Sequence, residues 1–124
     1  VLGEAVRLIG NVKARYGFSK GSLLVVPSRG DSMPYVVIEA AAAGIPMVAA
    51  NVGGIPEIFG SHTDALFAPG IAAAMADAIE GALENPTAAL ARAKELRERI
   101  FLHFSQKAMV EGVLAGYRDA FANR

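Results

Sequence analysis

The sequence predicts an α/β fold: a Rossmann-like parallel sheet flanked by helices, with a helical C-terminal third. Two short apolar runs, Leu23–Val26 and Met47–Ala50, show no alternation with polar residues, as expected of strands buried on both faces. Gly and Pro punctuate the chain on either side of each run, which marks loops and helix ends. Strand, loop and helix then alternate over about 50 residues, and such alternation favours parallel pairing with right-handed crossovers.

The opening segment, Val1–Gly17, admits two readings. Val6, Leu8 and the Gly10–Asn11 pair fit a short strand and turn, while Val6, Ile9 and Lys13 fit one face of a helix. After Leu23–Val26 comes a polar loop, Ser28–Ser32, and Pro34 suits the first turn of a helix whose body is Val36–Ala43. Its small Ala residues allow close packing on a sheet. Gly44 is placed as the left-handed stop, and Pro46 prevents continuation. Met47–Ala50 is the second strand, Gly53–Gly54 a loop, and Pro56 opens a short helix with Glu57 and Ile58. Ala65–Phe67 is a third strand, ended by Pro69–Gly70.

The last third reads as three helices. Met75, Ile79 and Leu83 repeat at four-residue steps in the first. Asn85–Pro86 caps and starts the second, with Leu90, Ala93, Leu96 and Ile100 on one stripe and Arg92, Glu95, Glu98 and Arg99 opposite. Ser105 caps the third, which carries Met109, Val113, Tyr117 and Phe121. That apolar stripe is expected to be core or an inter-domain contact.

Composition narrows the function classes. A chain of 124 residues suits one compact domain or half of a two-domain protein. With 53% apolar and 19% charged residues it is no disordered segment. Twelve Lys and Arg balance twelve Asp and Glu, so no basic field draws in nucleic acid. The absence of cysteine excludes disulfides, thiolate zinc sites and thiol nucleophiles, and fits a reducing cytoplasm. No apolar stretch reaches the roughly 18 residues of a membrane helix; the longest candidate, Val36–Val52, carries Glu39 and is broken at Gly44 and Pro46. His62 and His103 lack a second ligand at helical spacing, so surface or capping roles are expected and no metal site. The first residue is Val1 rather than Met, which leads to the expectation that the chain is a piece of a longer protein.

Chemistry concentrates between Asp31 and Glu39, two carboxylates eight positions apart. Asp31 lies in the loop after a strand's carboxyl end, where open α/β sheets bind ligands. The amides of Tyr35 and Val36 are unpaired donors of a helix start and favour a phosphate; Pro34 has no N–H to give. Glu39, pointing back toward that terminus, repels phosphate but accepts hydrogen bonds from sugar hydroxyls. The plain alternative is that Asp31 only caps the loop and Glu39 is a solvated helix residue; a charge among Val36, Val37, Ile38 and Ala40–Ala43 favours a role over free decoration. The bracketed helix start thus suits a ligand that is part phosphate and part polyol.

The stretch Pro27-Ser28-Arg29-Gly30-Asp31-Ser32-Met33-Pro34-Tyr35-Val36-Val37-Ile38-Glu39-Ala40 resembles the donor-site signature of retaining glycosyltransferases of the GT-B fold, family GT4, in which two acidic residues are separated by seven. The continuation Ala43–Ala49 and Asn51–Ile58 is similar to that family's next strand and glycine loop. The resemblance is firmest from Leu23 to Pro69 and extends through the helices to Phe121. It implies transfer of a sugar, with retention, from a nucleotide-diphosphate sugar to an acceptor. It also implies that residues 1–124 are part of the C-terminal, donor-binding domain, with the N-terminal acceptor domain absent.

By the same resemblance Glu39 binds the ribose hydroxyls and Asp31 lies at the transferred sugar as the catalytic position. The backbone of Met33, Pro34, Tyr35 and Val36 holds sugar hydroxyls and the diphosphate, and the Gly53–Gly54 loop approaches the same crevice. Asp31 departs from the family's usual Glu. The family's Arg and Lys that neutralise the diphosphate would precede Val1; Arg29 and Lys20 are not at matching positions. The isolated chain is therefore expected to be inactive. No cofactor is expected and no divalent metal. The expected partners are the nucleotide-sugar and an acceptor sugar or lipid-linked sugar held by the missing domain, with no nucleic acid. A homodimer of the fragment through its last helix is a further expectation. Polysaccharide biosynthesis in the cytoplasm, with peripheral association at the inner face of the membrane, is the expected setting. Two other readings stay open beside this one: an α/β interaction module that keeps only the fold and, more weakly, NAD binding, for which Gly53–Gly54 has the wrong spacing.

Overall fold

The computed structural model describes residues 5–123. A short helix, α1 (Ala14–Phe18), precedes strand β1 (Leu24–Val26). Helix α2 (Tyr35–Ala42), strand β2 (Met47–Ala50) and helix α3 (Ile55–Phe59) follow, then a single 3₁₀ turn (Thr63–Ala65) leading into β3 (Leu66–Phe67). Helices α4 (Ala72–Glu84), α5 (Pro86–His103) and α6 (Gln106–Ala122) complete the chain. The strands form one sheet in the order β1-β2-β3 with both pairs parallel: Val25 lies opposite Val48, and Ala50 opposite Phe67. The α/β class with a helical C-terminal third is borne out.

The central strand is the most deeply placed. All four residues of β2 are buried, as an uninterrupted apolar run requires. In β1 only Val26 is buried, while Leu24 and Val25 are half-exposed. This corrects the expectation of a strand covered on both faces. Among the described residues β1 is an edge with one hydrogen-bonded neighbour, so less of its surface is covered.

Helix α2 packs Val37, Ala40 and Ala41 inward at i, i+3 and i+4, and all three are fully buried. It ends as read from the sequence. Gly44 adopts φ +71°, its N–H donates to the Ala41 carbonyl at 2.9 Å, and the Ile45 N–H reaches the Ala40 carbonyl at 2.9 Å. These two bonds close a Schellman motif and satisfy carbonyls the helix leaves open. At the other end Pro34 is the N-cap, with extended φ/ψ, rather than the first helical residue. Its carbonyl accepts from Val37 N at 3.1 Å, so Pro34 stands just outside the first turn in which it was expected.

The opening segment corrects both sequence readings. Residues 1–4 lie outside the described residues, and residues 6–13 form neither strand nor helix. Val6, Leu8 and Ile9 stay exposed, so no burial rewards either periodicity. The α5 stripe is also shifted by one: Ala89, not Leu90, goes inside with Ala93, Leu96 and Ile100. The larger Leu90 and Leu83 instead border a surface hollow beside Pro46 and Leu23. Asn85 and Ser105 cap as expected, their side chains accepting from Ala88 N at 3.3 Å and Ala108 N at 3.1 Å. The α6 stripe is not core: none of the described residues of that helix is buried. No helix among the described residues is long and apolar enough to cross a membrane.

Candidate donor site

The loop leaving the carboxyl end of β1 runs through Asp31, Ser32 and Met33 into α2. Val37 and Ile38 both donate to the Pro34 carbonyl, and the N–H groups of Tyr35 and Val36, ahead of the first intrahelical bond, have no acceptor among the described residues. They are the orphan donors every helix start carries. Tyr35 is 77% exposed, Val36 is exposed, and Asp31 and Met33 are half-buried. The buried face of α2 is Val37, Ala40 and Ala41, so Tyr35, Val36 and Glu39 share its open face. Residues three and four apart on a helix lie roughly 5–6 Å apart at their Cβ atoms.

Glu39 is exposed and its carboxylate pairs with no other described residue, so its apolar sequence neighbours do not enclose it: Val37, Ala40 and Ala41 turn inward while Glu39 stays on the open side. It lines a hollow of about 510 Å³ with Lys13, Ala14, Arg15, Phe18 and Ala43. Tyr35 and Met33 line another, of about 580 Å³, with Ile38, Glu57, His103 and the start of α6. Glu39 on the one hand and Tyr35 and Met33 on the other therefore line different hollows, although Tyr35 and Glu39 lie on one face of α2. Lys13 and Arg15 beside Glu39 were not singled out from the sequence. They sit in a segment that the sequence left open between strand and helix, and only the tertiary approach of α1 to α2 puts them in one hollow with Glu39.

The glycine loop lies hard against the Asp31 loop. Gly53 has φ +53°, and a Cβ placed on it would stand 1.6 Å from the Asp31 carbonyl oxygen. A Cβ on Gly54 would stand 2.2 Å from the Ser32 carbonyl oxygen and 3.1 Å from the Met33 Cε. The Gly54 N–H donates to the Asp31 carbonyl at 3.3 Å. Helix α3, which starts at the next residue, buries Ile55, Ile58 and Phe59 completely. From α5, Arg99 donates to the Ile58 carbonyl at 3.1 Å and the Glu57 carbonyl at 3.0 Å, which satisfies the end of α3.

Of the two histidines, His103 lines the hollow shared with Met33 and Tyr35, while His62 stands against α5. His62 Nε2 is 3.4 Å from Glu95, next to the Arg92–Asp64 ion pair, and His103 is the last residue of α5. No three or more His, Asp or Glu side chains among the described residues are grouped to hold a metal.

The family model described as "Glycosyl transferases group 1" matches residues 1–85. The chain belongs to that family. This group 1 glycosyl transferase chain is 34% identical over 97 residues to a glycogen synthase of Mycobacterium tuberculosis, covering 77% of its own length and 23% of the relative's. It is 35% identical over 104 residues to a D-inositol 3-phosphate glycosyltransferase of Mycobacterium avium, covering 83% of itself and 24% of that protein. Among solved structures it superposes on a sucrose-phosphate synthase from Thermosynechococcus elongatus with a TM-score of 0.81 and 32% identity, covering 99% of this chain and 32% of that one. The group 1 chain therefore spans about a quarter of each of these curated relatives and about a third of the solved one.

Proposed function

We propose that the chain supplies part of the donor site of a retaining glycosyltransferase, which moves a sugar from a nucleotide-diphosphate sugar to an acceptor. The observation that carries this reading is the start of α2 in a group 1 glycosyl transferase. Two free backbone donors, Tyr35 and Val36, lie beyond the carboxyl end of a parallel sheet, with Asp31 in the loop before them and Glu39 one turn on along the same open face.

The roles follow from the chemistry of each group. The two N–H groups and the positive end of the helix dipole take diphosphate oxygens. When the bond between the anomeric carbon and the diphosphate breaks, negative charge grows on the leaving group, and donors already aimed there lower the barrier. Glu39 accepts hydrogen bonds from ribose hydroxyls, and being exposed it is open to them. Asp31 faces the transferred sugar, with the backbone of Met33 and Pro34 alongside. Lys13 and Arg15 add positive charge on the Glu39 flank, and the principal diphosphate cations come from elsewhere in the whole enzyme. The acceptor, a sugar or lipid-linked sugar, binds a separate domain; the nucleotide-sugar is substrate and no cofactor takes part. Polysaccharide assembly in the cytoplasm, at the inner face of the membrane, is the setting we assign.

The test is an NMR titration of UDP, GDP and their sugars against the chain. Shifts at Tyr35, Val36 and Glu39 that vanish in Glu39→Ala are expected. Silence toward every one of these nucleotides at millimolar concentration, here and in the full-length protein, would refute the proposal.

A further inference from the structure

We propose that Gly53, Gly54 and Arg99 are positioning residues: they hold the Asp31–Met33 loop at a fixed height over the free amides of α2 and do not themselves touch the ligand. The role assigned to Asp31 rests on the donor-site reading above; the mechanical part stands on geometry alone.

A loop of this kind, Ser28–Met33, has no regular hydrogen bonds of its own along its length. Among the described residues, the backbone bond that ties it to another segment is Gly54 N–H to Asp31 O, at 3.3 Å. Around that bond the two backbones approach so closely that side chains are shut out. The Cβ positions at 53 and 54 fall 1.6 Å and 2.2 Å from carbonyl oxygens of Asp31 and Ser32. Backbone carbonyls cannot swing aside as a flexible side chain does, so any residue larger than glycine must push the loop away. A surface that merely turns has no need of this fit: a Cβ at Gly30, or at Gly70, which also has positive φ, would meet nothing within 4 Å.

The pressing partner is itself held from behind. Gly54 is the N-cap of α3, whose Ile55, Ile58 and Phe59 are fully buried. At the far end of α3 the Arg99 guanidinium forks onto two carbonyls, Glu57 and Ile58, and Gly60 leaves the room: a Cβ there would stand 2.9 Å from the Arg99 guanidinium. A planar two-donor fork fixes direction as well as distance, which an ammonium does not. The chain of contact therefore runs from α5 through α3 to the Asp31 loop. Gly53 and Gly54 serve the site through Asp31 and Ser32.

The experiment uses the 124-residue chain, ¹⁵N-labelled, as wild type, Gly54→Ala and Arg99→Lys. Without ligand, the Gly54 amide should exchange at least tenfold more slowly than an open-chain glycine. Gly54→Ala should move the Asp31, Ser32 and Met33 resonances while those of Leu96 and Ile100 stay in place. Arg99→Lys, which keeps the charge but not the fork, should move the same loop less. With UDP, both variants should lose affinity, Gly54→Ala tenfold or more, at temperatures where they are fully folded; a purely structural glycine would lower the melting temperature and leave that affinity unchanged. Should Gly54→Ala not fold, the wild-type exchange rate and Arg99→Lys decide the question. Loop resonances indifferent to both variants, or an unprotected Gly54 amide, overturn the proposal. Loop shifts as expected, with no UDP binding either by this chain or by the full-length protein, overturn the donor reading and the service to Asp31, while the mechanical brace stands.

Discussion

The N–H of Gly54 donates to the carbonyl of Asp31 at 3.3 Å, joining the loops that follow β1 and β2 at the carboxyl end of the sheet. Neighbouring parallel strands bring such loops side by side, and here glycine lets them touch.

That contact makes Gly53 intolerant of a side chain. Gly53→Ala puts a Cβ-bearing residue at φ +53°, at a cost of about 1–2 kcal/mol. Overlap with the Asp31 carbonyl adds about 1–3 kcal/mol. Urea unfolding should show a combined loss of about 2–5 kcal/mol. A loss below about 1 kcal/mol would mean that the loop re-seats freely.

Binding and folding should separate at α2 and α3. Glu39 is exposed and unpaired, so Glu39→Ala should change stability by no more than about 0.5 kcal/mol while abolishing nucleotide shifts. Ile58 is fully buried, and Ile58→Ala should cost about 2–5 kcal/mol. Melting curves recorded beside the titrations test this; equal destabilisation by the two changes would contradict the placement of Glu39.

Ala40 seats α2 on the core with no room to spare, being fully buried. Ala40→Leu should destabilise by about 1–3 kcal/mol through overpacking. Because α2 must lift to admit the larger side chain, the Tyr35 and Val36 amides should shift in spectra of the free protein. Unmoved amides would indicate that the core gives way and not the helix.

Asn85 accepts from Ala88 N at the start of α5, the helix that buries Ala89, Ala93, Leu96 and Ile100. Asn85→Ala should cost about 1 kcal/mol, read as a lower denaturation midpoint with an unchanged slope. Asn85→Asp should keep most of the stability. If Asp fared no better than Ala, the cap would be contributing nothing.

Much of this molecule was legible in the order of its residues. Gly44 followed by Pro46 announced a helix end because the two restrict backbone geometry locally, and the Schellman bonds form there. Met47–Ala50 announced a central strand because both of its faces must be apolar. The family was legible in the Asp31–Glu39 spacing, and its model matches the chain. Other features depend on neighbours. In α5 both Ala89 and Leu90 fit an inward stripe, and in so Ala-rich a helix only packing chooses between them. The edge position of β1 and the irregular course of residues 6–13 turn on which partners are present. Likewise the approach of Lys13 and Arg15 to Glu39, and the press of Gly53 and Gly54 on Asp31, join segments far apart in sequence.

Helix α6 runs for 17 residues without one buried side chain among those described, and its first turn lines the hollow shared with Met33 and Tyr35. A helix of that length with so little packing sits near the coil transition in water. Warming should therefore unravel the C-terminal end while the sheet is still intact, so that ellipticity begins to fall before the near-ultraviolet signal of buried Phe59 does.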